Sequence, residues 1–127
     1  MIFGIGTDIV RVARFEQSLA RYGERFARRI LTDAEYTDFK TITRPAQFLA
    51  KRFAAKEATA KAMGTGFRNG LSLKHIGVGH DANGKPQLEF SGVAADFLKR
   101  HSIKIAHISL ADEKDHAVAF VTLGDDT

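Results

Sequence analysis

Residues 46–63 read AQFLAKRFAAKEATAKAM, and this stretch decides the fold. Arg44-Pro45 precedes it, and proline is favoured in the first turn of a helix. Gly64 follows it, and glycine is common just past the end of a helix. The pattern therefore predicts one long helix over 46–63. Its small side chains permit the close approach of another element, and they belong to Ala54, Ala55, Ala58, Ala60 and Ala62.

Glu57 is the first candidate functional residue on this helix. It follows Leu49 and Phe53 at intervals of four, and each such step turns the position only about 40° around a helix of 3.6 residues per turn. Glu57 therefore extends the flank of an apolar stripe, where a carboxylate needs a partner. Two partners stay open. One is Lys61 in an ordinary i,i+4 ion pair; the other is a metal ion, with Lys61 left to meet a phosphate.

Asp8 is the second candidate, near the N-terminus. A short strand is predicted over 2–5, and Gly6-Thr7-Asp8 follows it as a helix start, with Ile9 facing the core. Asp8 is then either the N-cap of that helix or a carboxylate on a rigid corner that binds a divalent cation together with Glu57. The glycines at 4 and 6 do not make a dinucleotide-binding fingerprint, because Ile9 occupies the position of the third glycine.

The remaining sequence predicts an α+β fold. Thr32-Asp33-Ala34-Glu35 is a capping box for a short helix that ends near Lys40. Ser91 is a candidate cap for a helix that ends near residue 101. Segments rich in β-branched and aromatic residues predict strands at 75–80, 87–90, 103–111 and 117–123. Helices followed by hairpins favour a single domain, 1–127, with a small antiparallel sheet packed against helices.

Composition narrows the class of protein. The 127 residues include no cysteine, which excludes a disulfide framework, a thiolate zinc site and a cysteine nucleophile. The opening MIFGIGTDIV has neither the basic region nor the cleavage pattern of a signal peptide. No apolar run approaches the length of a membrane-spanning helix. We therefore expect a cytoplasmic protein with no membrane partner.

The positive charge is concentrated in one segment. Residues 11–52 hold ten Lys/Arg and five Asp/Glu, whereas the rest of the chain is nearly balanced. This segment is either a solvated helix face or a surface that attracts an anionic partner: nucleic acid, a phosphate-bearing small molecule or an acidic protein. A nucleic-acid-binding module lacks support, since Phe15, Phe26 and Phe39 fit helix cores and no nucleic-acid-binding motif is present.

Taken together, four motifs resemble those of the 4′-phosphopantetheinyl transferase family, in order and over nearly the whole chain. They are GTDIV at 6–10, FAAKEA at 53–58 with Lys61-Ala62, GTG at 64–66 and GKP at 84–86. The resemblance implies an enzyme that transfers 4′-phosphopantetheine from coenzyme A to a serine of apo acyl carrier protein. The second product would be adenosine 3′,5′-bisphosphate. Asp8 and Glu57 would bind Mg²⁺, and Lys61 would act on the phosphates. The base for the serine is either Glu57 or a metal-bound water.

The resemblance also implies where the two substrates bind. Arg52 and Lys56 would face coenzyme A, and Arg44 would serve its 3′-phosphate. Further coenzyme A contacts are implied for Lys61, Gly64, Thr65 and Gly66. The active sites would form between the subunits of a homotrimer, so a neighbouring subunit would supply Gly84, Lys85, Pro86, His107 and Ser109. The acidic carrier protein would dock on Arg14, Arg21 and Arg25.

The late strand departs from the family pattern. Many members carry Ser-x-Ser-His there, whereas this chain has Ser109-Leu110-Ala111-Asp112. His107, two residues earlier, is the candidate to replace the missing histidine. A period of two places His107 with Ser109 and Ala111 on one face of the strand, and it places the apolar alternates on the core face.

Overall fold

The computed structural model describes residues 1–126 and contains two antiparallel sheets and five α-helices in that range. The strands are β1 (Ile2–Arg11), β2 (Ile76–His80), β3 (Pro86–Phe90), β4 (Ile105–Asp112) and β5 (His116–Gly124). The helices are α1 (Val12–Tyr22), α2 (Glu24–Ile30), α3 (Asp33–Phe39), α4 (Pro45–Met63) and α5 (Gly92–Arg100). A 3₁₀ turn, Leu73–His75, precedes β2. The predicted α+β class is confirmed.

The strands form a three-stranded sheet, in the order β1-β5-β4, and a separate β2-β3 hairpin. The sequence predicted a small antiparallel sheet and left the partner of the N-terminal strand open. Strand β1 pairs with β5 along its whole length, from Ile2 opposite Gly124 to Arg11 opposite His116. The N-terminal strand therefore completes the larger sheet, and the hairpin stands apart from it.

Helix α4 is the centre of the molecule, and the sequence predicted its extent to within one residue. It begins at Pro45 and ends at Met63, and most of its residues are buried. Leu49, Ala54 and Ala58 are fully buried, as is Val121 of β5. Burying a leucine or valine side chain stabilises a fold by about 1.5–3 kcal/mol. Because other elements pack against α4 on nearly all sides, the helix is held in place and so are the side chains at both of its ends.

Glycine brings β1 against the backbone of α4. A Cβ atom added at Gly4 would lie 2.0 Å from the carbonyl oxygen of Ala62, and one added at Gly6 would lie 1.9 Å from that of Ala58. Neither distance is tolerable, so both positions require glycine. The alanines of α4 supply the other half of this contact, which is the close approach that the sequence predicted. Strand and helix are thereby held in register.

The predicted start of the first helix is wrong by four residues. Strand β1 continues through Thr7 and Asp8 to Arg11, because the ladder with β5 satisfies the backbone groups that a helix would otherwise use. Helix α1 begins at Val12, whose N–H donates to the carbonyl oxygen of Asp115 at 2.8 Å. Ile9 consequently faces solvent rather than the core, with 64% of its surface exposed.

Two other local predictions are confirmed, the capping box at Thr32 and the end of α4 at Gly64. Thr32 accepts from the N–H of Glu35 at 3.2 Å, and the Glu35 carboxylate accepts from the N–H of Thr32 at 2.9 Å, which is the predicted capping box. Gly64 ends α4 in the left-handed region, with φ 81°. Ser91 precedes α5, but its side chain makes no capping hydrogen bond. Within residues 1–126, no helix combines the length and apolar character needed to cross a lipid bilayer.

Candidate active site

Asp8 is a strand residue that faces helix α4. It follows Gly4 and Gly6 at a period of two along β1, so the three lie on the sheet face that contacts α4. Lys61 of α4 places Nζ 3.2 Å from Oδ1 of Asp8 and donates to the carbonyl oxygen of Thr7 at 3.0 Å. The second carboxylate oxygen of Asp8, Oδ2, is buried and has no hydrogen-bond partner among the described residues. The N-cap interpretation of Asp8 is therefore wrong.

Glu57 lies one turn before Lys61 on the same helix. Partial burial raises its pKa, and the negative charge of Asp8 raises it further, against the opposing charges of Lys61 and Arg14. The two carboxylates are thus close enough to repel each other. The predicted Glu57–Lys61 ion pair does not form within the described part of the chain, where the ion pair of Lys61 is made with Asp8.

These two carboxylates fit a divalent cation. An unpartnered buried carboxylate oxygen is costly, and a hard cation bound by oxygen ligands would satisfy it while cancelling the repulsion. No group of three or more His, Cys, Asp or Glu side chains converges on a metal position within residues 1–126. Two protein carboxylates, completed by water and substrate phosphates, are typical of Mg²⁺ sites rather than of zinc sites.

Arginines line the approach to this pair. Arg14 of α1 lies over the rings of Phe15 and Phe53, at 5.6 and 5.2 Å from their centroids, and its charge lowers the pKa of Glu57. Arg21 lies over the ring of Tyr22 at the end of α1, and Arg25 is exposed on α2. The three arginines predicted to dock the carrier protein therefore lie on two consecutive helices, and the first of them is next to the carboxylates.

A second group of basic side chains lines a cavity of about 560 Å³ between the α3–α4 segment, α4 and β2. We call it the cationic cavity; its charged or titratable lining residues are Asp38, Arg44, Lys51, Arg52, His80 and Asp112. Burial lowers the pKa of His80, and the charges of Arg52 and Lys51 lower it further. Arg44 and Arg52, predicted separately from the sequence, share this cavity.

Lys56 does not reach a surface, although the sequence placed it facing coenzyme A. Its side chain is fully buried, and its ammonium donates to Oε1 of Glu35 at 2.6 Å and to the carbonyl oxygens of Leu73 and Ile76 at 3.0 and 2.7 Å. All three ammonium protons are used in this way. We therefore do not propose that Lys56 contacts coenzyme A directly.

The Gly64-Thr65-Gly66 segment is a helix cap. The N–H groups of all three residues donate to the carbonyl oxygen of Ala60, at 3.1, 3.3 and 3.3 Å. These donors are therefore engaged and do not point at a ligand. The space beside Gly64 and Gly66 is open, since a Cβ atom added at either would meet nothing within 4 Å. The segment therefore leaves open space close to Lys61 in the chain.

The remaining predicted ligand residues lie away from the carboxylates within one chain. Gly84 and Lys85 lie in the exposed turn of the hairpin and Pro86 begins β3; Oδ1 of Asp81 accepts there from the N–H groups of Asn83 and Lys85. His107 and Ser109 are exposed on β4. The pairing register places them on the face opposite Asp8, because His107 and Ile5 both align with Thr122.

The same outer face of the three-stranded sheet is apolar. Ile5, Ile9 and Phe120 expose 59, 64 and 47% of their surface there. Ser109 lies opposite Phe120, and Phe120 lies opposite Thr7, so these residues form one continuous face across all three strands. An exposed apolar sheet face of this kind marks an interaction surface.

Comparison with known proteins agrees with this geometry. Residues 4–121 match the family model described as the 4′-phosphopantetheinyl transferase superfamily. The holo-[acyl-carrier-protein] synthase of Nitrosococcus oceani is 58% identical over 123 residues, which are 97% of this chain and 80% of that protein. The crystal structure of the holo-[acyl-carrier-protein] synthase from Neisseria meningitidis has a TM-score of 0.93 at 45% identity, covering 98% of this chain and all of that one.

A holo-(acyl-carrier-protein) synthase from Bacillus anthracis, solved in complex with coenzyme A (3′,5′-ADP), matches with a TM-score of 0.83 at 39% identity over 99% of both chains. These matches define the class: the chain belongs to the 4′-phosphopantetheinyl transferase superfamily. Within that superfamily it is an enzyme of the holo-[acyl-carrier-protein] synthase branch.

Two features of the site had no prediction from the sequence. The sequence identified Glu35 only as the end of a capping box, and it gave His80 no role. The buried Glu35–Lys56 pair brings together residues 21 positions apart, and no local pattern indicates such a contact. Lys56 itself was the sequence signal for this pair. It lies among alanines on a helix that is buried on nearly all sides, and a buried lysine requires an anionic partner.

Proposed function

We propose that this enzyme transfers the 4′-phosphopantetheine group of coenzyme A to a serine of apo acyl carrier protein, in a reaction that depends on Mg²⁺. The observation that carries the proposal is the convergence of Asp8 and Glu57, with Lys61 between strand and helix and with Oδ2 of Asp8 lacking a partner. Its relatives are named for this activity, and the Bacillus anthracis relative was solved with coenzyme A.

The reaction is a phosphoryl transfer with a defined balance of bonds. The serine oxygen forms a bond to the β-phosphorus of coenzyme A, and the bond from that phosphorus to the bridging oxygen breaks. Adenosine 3′,5′-bisphosphate leaves with the bridging oxygen, and the serine proton passes to a base. Glu57 or a metal-bound water is our candidate for that base, because both would lie at the reacting phosphate. Lys61 stabilises the negative charge that develops on the phosphates.

Asp8 and Glu57 would hold the Mg²⁺ ion. When bound, the ion supplies electrostatic stabilisation to the pyrophosphate oxygens and orients them. Before substrate arrives, Lys61 neutralises Asp8. Because the Lys61 side chain is 54% exposed, its ammonium is free to move from Asp8 to a phosphate without breaking a buried contact. The same lysine thus balances charge before binding and acts on the phosphates after it.

Coenzyme A would extend from the carboxylates to the cationic cavity. We place its 3′-phosphate at Arg44 and Arg52 in that cavity, and we place its pyrophosphate at Lys61. The open surface at Gly64, Thr65 and Gly66 would pack beside the ligand.

The apolar outer face of the sheet supports assembly into a homotrimer. Three copies that meet through Ile5, Ile9 and Phe120 would remove these side chains from water, and the resemblance to the family supports three copies. A neighbouring subunit would then supply Gly84, Lys85, Pro86, His107 and Ser109 to each coenzyme A site. Phe120→Glu is expected to yield monomers in light scattering, whereas Lys99→Glu at an exposed position of α5 serves as a control and should leave the assembly unchanged.

The basic surface of α1 and α2 would recognise the carrier protein. Arg14, Arg21 and Arg25 present positive charge on these two helices, Arg14 acts on the charge of Glu57, and the acyl carrier protein is acidic. We place the enzyme in the cytoplasm, in the activation of carrier protein for fatty acid synthesis.

The test is an assay of apo acyl carrier protein with coenzyme A, read by mass spectrometry of the carrier protein. We expect the carrier protein to gain one phosphopantetheine with Mg²⁺ and to stay unmodified in the presence of a chelator. A carrier protein that gains no mass under any metal condition would overturn the proposal. Transfer that persists in the chelator would remove the metal from it.

A further inference from the structure

Glu35 is a buried carboxylate that the proposed chemistry does not use. Only 2% of its side chain is exposed, yet it contacts four groups from three parts of the chain. Its Oε1 accepts from the N–H of Thr32 at 2.9 Å and from Nζ of Lys56 at 2.6 Å. Its Oε2 accepts from the N–H of Val78 at 2.9 Å and lies 3.7 Å from Nε of Arg52. A helix cap requires only the hydrogen bond with Thr32, so the contacts with Lys56, Val78 and Arg52 are additional to capping.

The network joins the two walls of the cationic cavity. Lys56 carries the link from helix α4 to β2 through the carbonyl oxygen of Ile76, and Glu35 makes a second link to β2 through the N–H of Val78. His80, two residues beyond Val78, lines the cavity from β2, and Arg52 lines it from α4. The spacing between these two walls therefore depends on the Glu35–Lys56 pair.

Arg52 is held directly by the same carboxylate. Its Nε is buried, has no hydrogen-bond partner among the described residues and forms an ion pair with Oε2 of Glu35 at 3.7 Å, while its guanidinium carbon lies 4.3 Å from the centroid of the Phe48 ring. Burial lowers the pKa of Arg52, and the charge of Glu35 is the largest opposing influence. The guanidinium is thus fixed between a carboxylate and an aromatic ring, with its side chain part of the cavity wall.

We propose that Glu35 is a positioning residue for coenzyme A: with Lys56 it fixes β2 against α4 and holds Arg52 where the cationic cavity receives the 3′-phosphate. The proposal rests on the proposed function, because that function identifies coenzyme A as the ligand of the cationic cavity. Glu35 touches no substrate and acts through Arg52. Its effect must therefore depend on whether the ligand carries a 3′-phosphate, and a loss of general stability would not produce that dependence.

The experiment compares coenzyme A with 3′-dephospho-coenzyme A as substrates for the wild type and Glu35→Gln. An amide cannot accept at both of its ends, so the variant loses part of the network. We expect kcat/KM for coenzyme A to fall about tenfold, the loss expected when a displaced Arg52 no longer makes one charge-assisted hydrogen bond to the 3′-phosphate, with little change for the dephospho substrate. A folded variant that keeps the wild-type ratio of the two substrates would overturn the proposal.

Two further variants separate positioning from folding. Thr32→Ala removes the other half of the same capping box without touching Arg52, so it should lower stability and leave the substrate ratio unchanged. Glu35→Asp keeps the charge and shortens the side chain, and it replaces the glutamine variant if that one does not fold. Combined with Arg52→Gln, which itself lowers the ratio, either Glu35 variant should lower it no further. Additive losses would show that Glu35 does not act through Arg52.

A binding measurement keeps this inference distinct from the proposed function. Calorimetry compares adenosine 3′,5′-bisphosphate with adenosine 5′-monophosphate on the wild type and on whichever Glu35 variant folds. If the wild type binds the bisphosphate but transfers nothing, the proposed function fails, while the effect of Glu35 on the affinity ratio still decides the inference. If the wild type transfers phosphopantetheine and the Glu35 variant keeps the wild-type affinity ratio, only the inference fails.

Discussion

Lys61 and Asp8 are 53 positions apart in the chain, and their side chains lie 3.2 Å from each other between strand β1 and helix α4. The contact requires glycine at 4 and 6, because no other residue lets β1 approach the α4 backbone. In this arrangement one carboxylate oxygen of Asp8 is paired with the lysine, and the other is buried without a partner. A buried carboxylate oxygen without a hydrogen-bond partner is suited to binding a cation.

The Asp8–Lys61 pair is expected to matter for activity and little for stability. Lys61 is more than half exposed, and such pairs contribute about 0–1 kcal/mol to folding. Asp8→Asn should therefore change the free energy of unfolding by less than about 1 kcal/mol while lowering kcat by about a hundredfold or more. Urea unfolding and steady-state kinetics measure the two quantities. A variant with near-normal kcat would exclude Asp8 from the metal site.

Removing the Glu57 charge is expected to stabilise the metal-free protein. Its pKa is raised above 4.5 in the folded state, so the folded chain holds this proton more tightly than the unfolded chain does. Stability therefore falls as pH rises through the interval from 4.5 to the raised pKa, and the cost is fully present above it. Because Glu57 is partly exposed, Glu57→Gln should stabilise the chain by only roughly a few tenths of a kcal/mol at pH 7.

Thermal unfolding over a pH series measures this effect. The difference between Glu57→Gln and wild type should vanish well below pH 4.5 and should shrink at pH 7 when Mg²⁺ is added. A glutamine variant that is less stable than the wild type at pH 7 without metal would contradict the repulsion between Asp8 and Glu57.

The close contact of β1 with α4 predicts a strong effect at Gly6. Gly6→Ala places a methyl group where the Ala58 carbonyl oxygen lies, so the strand must move away and carry Asp8 with it. We expect a loss of about 1–3 kcal/mol in stability together with a loss of transfer. Gly77→Ala is the matched control, since its new methyl would meet side-chain atoms rather than backbone, those of Thr32 at 3.3 Å and of Glu89 at 3.7 Å. Equal effects of the two substitutions would refute the role of Gly6.

Arg14 is expected to affect the carrier protein more than the chemistry. Arg14→Glu reverses a charge on the proposed docking surface, so KM for the carrier protein should rise more than kcat falls. The effect should weaken at high salt because the interaction is electrostatic. Lys104→Glu makes the same change of charge at an exposed position outside the basic segment and should leave KM unaltered. An unchanged KM for the Arg14 variant would remove it from the docking surface.

His80 predicts that ligand binding is coupled to proton uptake. Burial and the charges of Arg52 and Lys51 lower its pKa, against the weaker influence of Asp38 and Asp81. An anionic phosphate in the cationic cavity would reverse this effect, so the imidazole should take up a proton when adenosine 3′,5′-bisphosphate binds near pH 6. Calorimetry in buffers of different ionisation enthalpy measures the proton count, and His80→Asn should abolish the uptake. Equal uptake by that variant would assign the proton elsewhere.

Local patterns predicted the parts of the fold that local interactions determine. The α4 segment has an N-terminal proline, a C-terminal glycine and residues that favour helix, and its bounds were nearly right. The Thr32 capping box was also right, since its partners are three residues apart. The β1 segment was wrong at Asp8 because its conformation depends on pairing with β5, more than a hundred residues later. A strand that relies on a distant partner leaves little signal in its own sequence.

The candidate site likewise contains residues that local patterns indicate and residues whose surroundings depend on distant parts of the chain. Asp8, Glu57 and Lys61 were named from residue type, spacing and resemblance, and the structure pairs Asp8 with Lys61 and places Glu57 within the electrostatic influence of Asp8. Lys56 was placed toward coenzyme A by the family resemblance, whereas its partner Glu35 belongs to another helix and no local pattern indicates that contact. His107 and Ser109 lie on the far face of the sheet, so their proposed role depends on a second chain that no single-chain pattern describes.

The central claim is that Asp8 and Glu57 bind one divalent cation together, and titration of Mg²⁺ into the coenzyme A complex tests it most directly. Calorimetry on the wild type should give one Mg²⁺ per chain, and Asp8→Asn and Glu57→Gln should each abolish that binding while the chain stays folded. Mg²⁺ binding of wild-type affinity and stoichiometry in both variants would contradict the account.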